Sequence, residues 1–247
     1  MDDRAYGLMA AAESRHWWWC GRRAILGRVL SDLFTKGVAP RGALYDLGCG
    51  VGANLEMLER FGPAVGYDGA DTAVALAHSL GRTNVYKADL SLGEAALSDA
   101  QPPGGVVLLA DVLEHLDDEG PALALAARLL VPGGILIATV PALPWLWGPP
   151  YEFNFDLRRY TRRALAAVIA PRFRIRRMTF FNSLLLGPIA AMRFASRLLR
   201  LPGVEEAKLP SRPVNALLRM IFSAEAPLVA RADLPLGVSL LCVAQKP

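Results

Sequence analysis

Cysteine is scarce in this 247-residue chain. Cys20, Cys49 and Cys242 lie far apart, which excludes both a dense disulfide framework and a Cys-x-x-Cys zinc pattern. A reduced, cytoplasmic setting is the expectation, with peripheral membrane contact as an alternative. No apolar run reaches the roughly 20 residues that a transmembrane helix needs. The longest uncharged stretch of interest, Met178 to Met192, is interrupted by Asn182, Ser183, Gly187 and Pro188. The opening Met-Asp-Asp-Arg has no apolar core of a secretory signal. Internal repeats and low-complexity segments are also lacking. Lysine is rare, at four residues against 23 arginines.

What the chain has is apolar mass and segregated charge. It is 53% apolar with a mean hydropathy of +0.29, which excludes disorder and calls for a well-filled core. Residues 157–231 hold 15 basic and three acidic residues, and residues 44–119 hold 13 acidic and three basic ones. Charge separated so sharply bears on what each half binds.

Short apolar runs bounded by Gly, Pro or Asp predict strands at Ala43–Leu47, Ala64–Tyr67, Asn84–Lys87, Val106–Ala110 and Ile135–Val140. Helices are predicted between them at Ala53–Arg60, Thr72–Leu80 and Pro121–Leu130, the last opened by Pro121 and stopped by Pro132-Gly133-Gly134. This alternation predicts an α/β fold with a parallel sheet covered on both faces. Two later strands, Phe173–Phe180 and Gly237–Ala244, flank about 55 residues that read as helices Leu184–Leu201 and Pro213–Phe222. The expected organisation is an N-terminal helical cap (1–40), a Rossmann-like core (41–182), a helical insertion (183–235) and a last core strand (236–247).

The most specific signal is Tyr45-Asp46-Leu47-Gly48-Cys49-Gly50-Val51-Gly52-Ala53-Asn54, placed where a strand turns into a helix. Nucleotides bind at the carboxyl end of the first strand in such sheets, and glycine lets the backbone approach them. Asp68, 18 residues past Gly50, ends the second strand and can accept both hydroxyls of a ribose. The loop also satisfies the dinucleotide fingerprint through Gly48, Gly50 and Ala53, so a nicotinamide-dependent oxidoreductase is one reading. Asp46, Asp68, Asp89 and Asp111 all end predicted strands, however, and an acidic rim repels a pyrophosphate. It suits S-adenosylmethionine, which carries a sulfonium and an ammonium. A strand-end Asp that only caps a helix is the alternative for each acid taken alone.

These motifs resemble class I S-adenosylmethionine-dependent methyltransferases of the type 11/12 group, which includes the ubiquinone- and menaquinone-biosynthesis methyltransferases. YDLGCGVGANL, GYDGAD, KADL, VVLLADVLEHLDD and LLVPGGILIATVP resemble successive family motifs over about residues 40–142. The resemblance implies a seven-stranded sheet with only the last strand antiparallel, and S-adenosylmethionine as cofactor. It implies a cofactor site drawn from Asp46, Gly48, Cys49, Gly50, Asn54, Asp68, Gly69, Asp89, Leu90, Asp111 and Val112, with Asp68 on the ribose and Asp89 and Leu90 beside the adenine. Trp18 and Arg22 of the N-terminal segment join this set if Trp17–Trp19 roof the cofactor; core packing is the plainer alternative for those tryptophans.

Methyl transfer needs alignment and water exclusion more than a special residue. An oxygen acceptor can use a base, and His115, beside Asp111 and Glu114, is the first candidate. Glu152 and Asp156 are alternative bases, standing where related sequences carry Asp and His. Trp145, Trp147 and Tyr151, with Arg159 and Tyr160, read as a substrate-side wall. No metal site is expected. The acceptor is expected to be small or lipid-like and methylated at oxygen. An N- or C-methyltransferase acting on an anionic or RNA substrate, and a non-catalytic cofactor binder, are the alternatives. Residues 184–222 are candidates for membrane contact or a homodimer face, and the arginines there lack the interleaved aromatics that would favour nucleic acid.

Overall fold

The computed structural model describes residues 3–97, 100–146, 156–198 and 209–247. The helices α1 (Asp3–Ala12) and α2 (Trp17–Thr35) precede β1 (Ala43–Leu47), α3 (Leu55–Leu58), β2 (Ala64–Asp68), α4 (Asp71–Ser79) and β3 (Val85–Lys87). Next come β4 (Gly104–Ala110), α5 (Gly120–Leu129), β5 (Leu130–Pro141), α6 (Arg162–Ile169) and β6 (Arg174–Phe181). The chain closes with α7 (Leu186–Leu198), α8 (Arg212–Ala224), α9 (Ala226–Arg231) and β7 (Ser239–Gln245).

The seven strands form one sheet in the order β3-β2-β1-β4-β5-β7-β6. The pairs from β3 through to β5 are parallel, and β7 runs antiparallel between β5 and β6. This is the Rossmann-like sheet expected from the sequence, with the last strand alone reversed. The order reverses between β2-β1 and β4, so the carboxyl ends of β1 and β4 diverge around a crevice.

Strand alternation sorts the core into two layers. Tyr45 and Leu47 of β1, Val107 and Leu109 of β4, and Leu136, Ala138 and Val140 of β5 face one side, against Leu123 of α5 and Leu165 and Ile169 of α6. Leu44, Val106, Leu108, Ile135 and Ile137 face the other, against Ile25, Leu26 and Leu30 of α2. Phe222 of α8 and Val229 of α9 close that second layer. The helices between β6 and β7 are therefore built into the core and do not merely decorate it.

Most predicted elements fall within two residues of their observed bounds, and the departures have local causes. α3 shrinks to one turn, because Gly52 turns sharply at a φ of +82° and Glu59 ends the helix. β5 begins at Leu130, five residues before the predicted Ile135, because Pro132-Gly133-Gly134 sit within the strand as an irregularity, with Gly133 at a φ of +78° and a shift in the register against β4. The predicted end of α7 at Leu201 lies outside the described residues. The short helices α6 and α9 are additions to the sequence reading. The side chain of Thr161 caps α6 by accepting from the Ala164 N–H at 3.1 Å.

Candidate active site

β1 delivers its glycine loop to the crevice. Gly48 and Gly50 adopt φ of +71° and +56°, a region that costs a side chain dearly. Space forbids one as well: a Cβ on Gly48 would come within 2.6 Å of Val112, and one on Gly50 would meet the Met9 sulfur at 3.0 Å. The Gly48 and Cys49 N–H groups donate to the Tyr67 carbonyl at 2.7 and 3.0 Å, tying the loop to the end of β2.

Asp68, buried at that end, accepts from the Gly50 N–H at 2.8 Å and the Ala70 N–H at 3.0 Å. The Tyr6 hydroxyl of α1 also donates to it, at 3.3 Å. Asp46 lies one layer deeper, fully buried, and accepts from Asn54 Nδ2 at 3.1 Å. Burial pushes its carboxyl up to about 7, although the Asn54 hydrogen bond and the Arg22 charge pull the other way. Burial likewise raises the Cys49 thiol, reinforced by Asp46 and Asp68.

Asp111, just past β4, has a left-handed backbone with φ +58°. Thr139 of β5 donates to its Oδ1 at 2.8 Å, and the buried Arg22 of α2 pairs with its Oδ2. Arg22 thus crosses from the second core layer to the crevice and fixes the start of the β4 loop.

Around these groups lies a cavity of about 770 Å³, large for one small ligand and within the range of cofactor pockets. Gly48, Cys49, Gly50, Asn54 and Asp68 border it on one side. Asp111, Val112, Glu114, His115 and Asp156 border another. Trp17–Trp19 and Arg22 of α2 complete it from the N-terminal side. The carboxylates on this wall include Glu13, Asp68, Asp111 and Asp156, against arginines at 22, 159 and 193. A cationic nucleoside fits this balance, and the two glycines bring the loop backbone itself to the cavity edge. The groups present match what a sulfonium nucleoside offers. A carboxylate at Asp68 suits a ribose diol, and the Gly48–Gly50 backbone with Arg22 suits an amino-acid end.

Past β4, Leu113–His115 form one tight turn. Glu114 is buried; burial raises its carboxyl well above the usual range, with Asp111 and Asp156 adding to the effect. His115 Nδ1 lies 3.9 Å from Asp156 Oδ1. One ligand-capable atom from each of Glu114, His115 and Asp156 falls within 4.8 Å of the others.

Asp46, Gly69, Asp89, Leu90, Trp145 and Tyr160 are not among the described residues bordering the cavity. Asp89 is exposed and caps the turn after β3, accepting from the Ser91 N–H at 2.9 Å and its hydroxyl at 2.7 Å. Those bonds, chiefly the one from the hydroxyl, hold its carboxyl below the usual range. Leu90 is buried in the first core layer. Tyr160 is buried and donates to Glu119 at 2.5 Å, and Glu119 also pairs with Arg158 at 2.7 Å. Trp145 is 59% exposed. Trp147, Tyr151 and Glu152 lie outside the described residues. The Trp17–Trp18 rings pack on Phe222 at 5.7 and 5.3 Å, so they both stabilise the core and border the cavity.

Sequence reasoning missed Tyr6, Met9 and Glu13, although their i, i+3, i+7 spacing marks one helix face. Glu13 is buried and bonded by Arg82 at 3.2 Å. It also missed Arg193, which is buried and donates to the Leu146 carbonyl at 2.9 Å.

Sheet order, glycine loop and acid-walled crevice together resemble those of class I S-adenosylmethionine-dependent methyltransferase domains. A protein-family profile described as a methyltransferase domain matches residues 45–138, and S-adenosylmethionine is the cofactor of this class. Among curated proteins, the chain is similar to trans-aconitate 2-methyltransferase of Pseudomonas aeruginosa, with 34% identity over 98 residues, 40% of this chain and 35% of that protein. It is also similar to the ubiquinone biosynthesis O-methyltransferase of Caulobacter vibrioides, with 35% identity over 105 residues, 39% of this chain and 40% of that one. The match spans well under half the length of these relatives. Among solved structures, a SAM-dependent methyltransferase from Archaeoglobus fulgidus shares the fold, with a TM-score of 0.53 and 17% identity over 89% of this chain and 94% of that one.

Proposed function

We propose that the protein moves a methyl group from S-adenosylmethionine to an oxygen of a small or lipid-like acceptor, with His115 as general base. The observation that carries this reading is the convergence of His115, Asp156 and Glu114 at one part of the cavity wall. S-adenosylmethionine supplies a methyl on a positively charged sulfur that leaves readily as a neutral thioether. The chain's own part is to hold and orient. Asp68 takes the ribose hydroxyls, Arg22 stands beside the amino-acid end, and Trp17–Trp19 keep water out. Asp156, on the Nδ1 side of His115, favours the tautomer with its proton there. Nε2 then carries the lone pair that takes the acceptor's hydroxyl proton as the carbon–oxygen bond forms. Burial, reinforced by Asp111 and Asp156, raises the Glu114 carboxyl well above the usual range, which disfavours a further negative charge in this corner.

Arg159 and Arg193 border the same cavity, and they support a second reading in which the acceptor is an anion such as a carboxylate. One experiment separates the two. His115→Gln is assayed by transfer of labelled methyl to a panel of hydroxyl-bearing and carboxylate-bearing acceptors. With a hydroxyl acceptor, kcat falls by about 10²–10⁴. With a carboxylate, already ionised, turnover barely changes. A normal rate on a hydroxyl acceptor removes His115 from the mechanism.

A further inference from the structure

α7 has an apolar exterior. Its exposed described residues are Gly187, Pro188, Ala191, Met192, Phe194, Ala195 and Leu198. At 100° per residue they cover nearly half the helix circumference. Phe194 is 69% exposed and Leu198 74%. The one charged side chain described on this helix, Arg193, turns inward to the Leu146 carbonyl.

α8 repeats the pattern. One of its faces, through Leu218 and Phe222, meets the protein, and Phe222 packs against Trp17 and Trp18 of α2. Yet Pro213, Leu217, Met220 and Ala224, at i, i+4, i+7 and i+11, form a second stripe that faces solvent, with Met220 63% exposed. Arg212 and Arg219, seven residues apart, are exposed on the adjoining strip and pair with no carboxylate among the described residues. Neither described helix exposes an acid; Glu225, at the end of α8, is buried and accepts from the Ser183 and Leu184 N–H groups.

These helices also border the mouth of the cavity. Pro188, Met192, Pro210 and Leu218 line it, and Pro188 and Met192 are at the same time exposed. The exposed residues that border the cavity thus include Pro188 and Met192 of this apolar exterior, along with Asp117 and Leu157 outside it.

We propose that the α7–α8 face docks on an anionic phospholipid bilayer, so that a lipid-like acceptor reaches the cavity from the membrane without crossing water. Apolar side chains at the surface with arginines beside them, and no exposed acid on the described residues of either helix, form the composition that lies in a lipid interface and is drawn to negative headgroups. A second copy of the chain would bring Arg212 and Arg219 towards a surface rich in arginine. A bilayer meets both features at once. The proposal rests on the methyl-transfer reading only for what the cavity receives.

Flotation of the full chain with vesicles of phosphatidylcholine, with and without phosphatidylglycerol, tests it. The protein should float with the mixed vesicles and not with phosphatidylcholine alone, and high salt should weaken the association. Phe194→Glu with Met220→Glu should lower partitioning at least tenfold, and Arg212→Glu with Arg219→Glu should do so on the anionic vesicles. All four positions are exposed and outside the residues that border the cavity. Titration with S-adenosylhomocysteine serves as the control, and both double variants should bind it as the parent does. Failure to float with anionic vesicles overturns the proposal, as does flotation unchanged by the glutamates at 194 and 220. Self-association abolished by those same glutamates, without flotation, overturns it in favour of a second copy. Loss of S-adenosylhomocysteine binding in the parent would instead sink the methyl-transfer reading and leave the flotation result standing.

Discussion

At the scale of single residues, two aspartates at neighbouring strand ends take opposite roles. Asp68 has its carboxylate at the cavity with fixed backbone donors. Asp68→Ala should weaken S-adenosylhomocysteine binding more than tenfold by calorimetry while the thermal midpoint stays near that of the parent. NADH should bind neither protein. Unchanged affinity would remove Asp68 from the ribose role, and tight NADH binding would reopen the dinucleotide reading. Asp46, in contrast, holds its proton to about pH 7 because it is buried, whereas an unfolded chain releases that proton near about 4. The folded state therefore binds the extra proton between about pH 4 and 7. Stability from this site is fully present below that window. It declines as pH rises through it, by about 1.4 kcal/mol for each pH step of one. Asp46→Asn removes the titration and keeps an acceptor for Asn54. Urea midpoints should fall between an acidic buffer inside the window and a mildly alkaline one above it for the parent, and fall less for the variant. Parallel changes would show that Asp46 is ionised in the fold.

At the scale of elements, α2 and α8 meet through Phe222, whose ring is fully buried. It stacks on Trp18 and Phe181 at 5.3 and 6.1 Å and meets Trp17 edge-on. Gly21 makes this approach possible, since a Cβ there would stand 2.2 Å from the ring. Phe222→Ala should cost about 3–5 kcal/mol in chemical denaturation and red-shift the tryptophan emission as Trp17 and Trp18 gain water. A loss under about 1 kcal/mol would mean that the two helices are not coupled. The elements themselves were legible where the signal is local. The glycine loop, the strand parity and the Pro121 start of α5 all act within a few residues. Phe222 was not legible as the partner of the tryptophan run, because about 200 residues separate them and only the closed sheet brings them together. Asp89 shows the opposite limit. Its motif resembles a cofactor contact, while its side chain bonds the serine two positions on, a choice that periodicity does not encode.

Over the whole molecule, the charge segregation read from the sequence acquires a location. The acidic half supplies the glycine loop and the β4 loop, and the basic half supplies Arg159 and Arg193 on the facing wall. The cavity is the seam between them. The class of cofactor was readable because its motifs follow one another along one contiguous stretch of chain. The acceptor was not, because the rest of the cavity is bordered by α2, the β4 loop and α7, far apart in sequence. Within the described residues, no helix is long and apolar enough to cross a membrane.

The hydrogen bond from Tyr6 to Asp68 sets a toll on occupancy. Backbone donors cannot leave that carboxylate, but a phenol on the first helix can, so under the ribose role proposed for Asp68 an arriving sugar competes with an incumbent for the same oxygen. Measured affinity is then the difference between two bound states rather than the worth of one. On the same proposal, departure of the spent nucleoside is helped by this rivalry, since the Tyr6 hydroxyl stands 3.3 Å from the vacated oxygen.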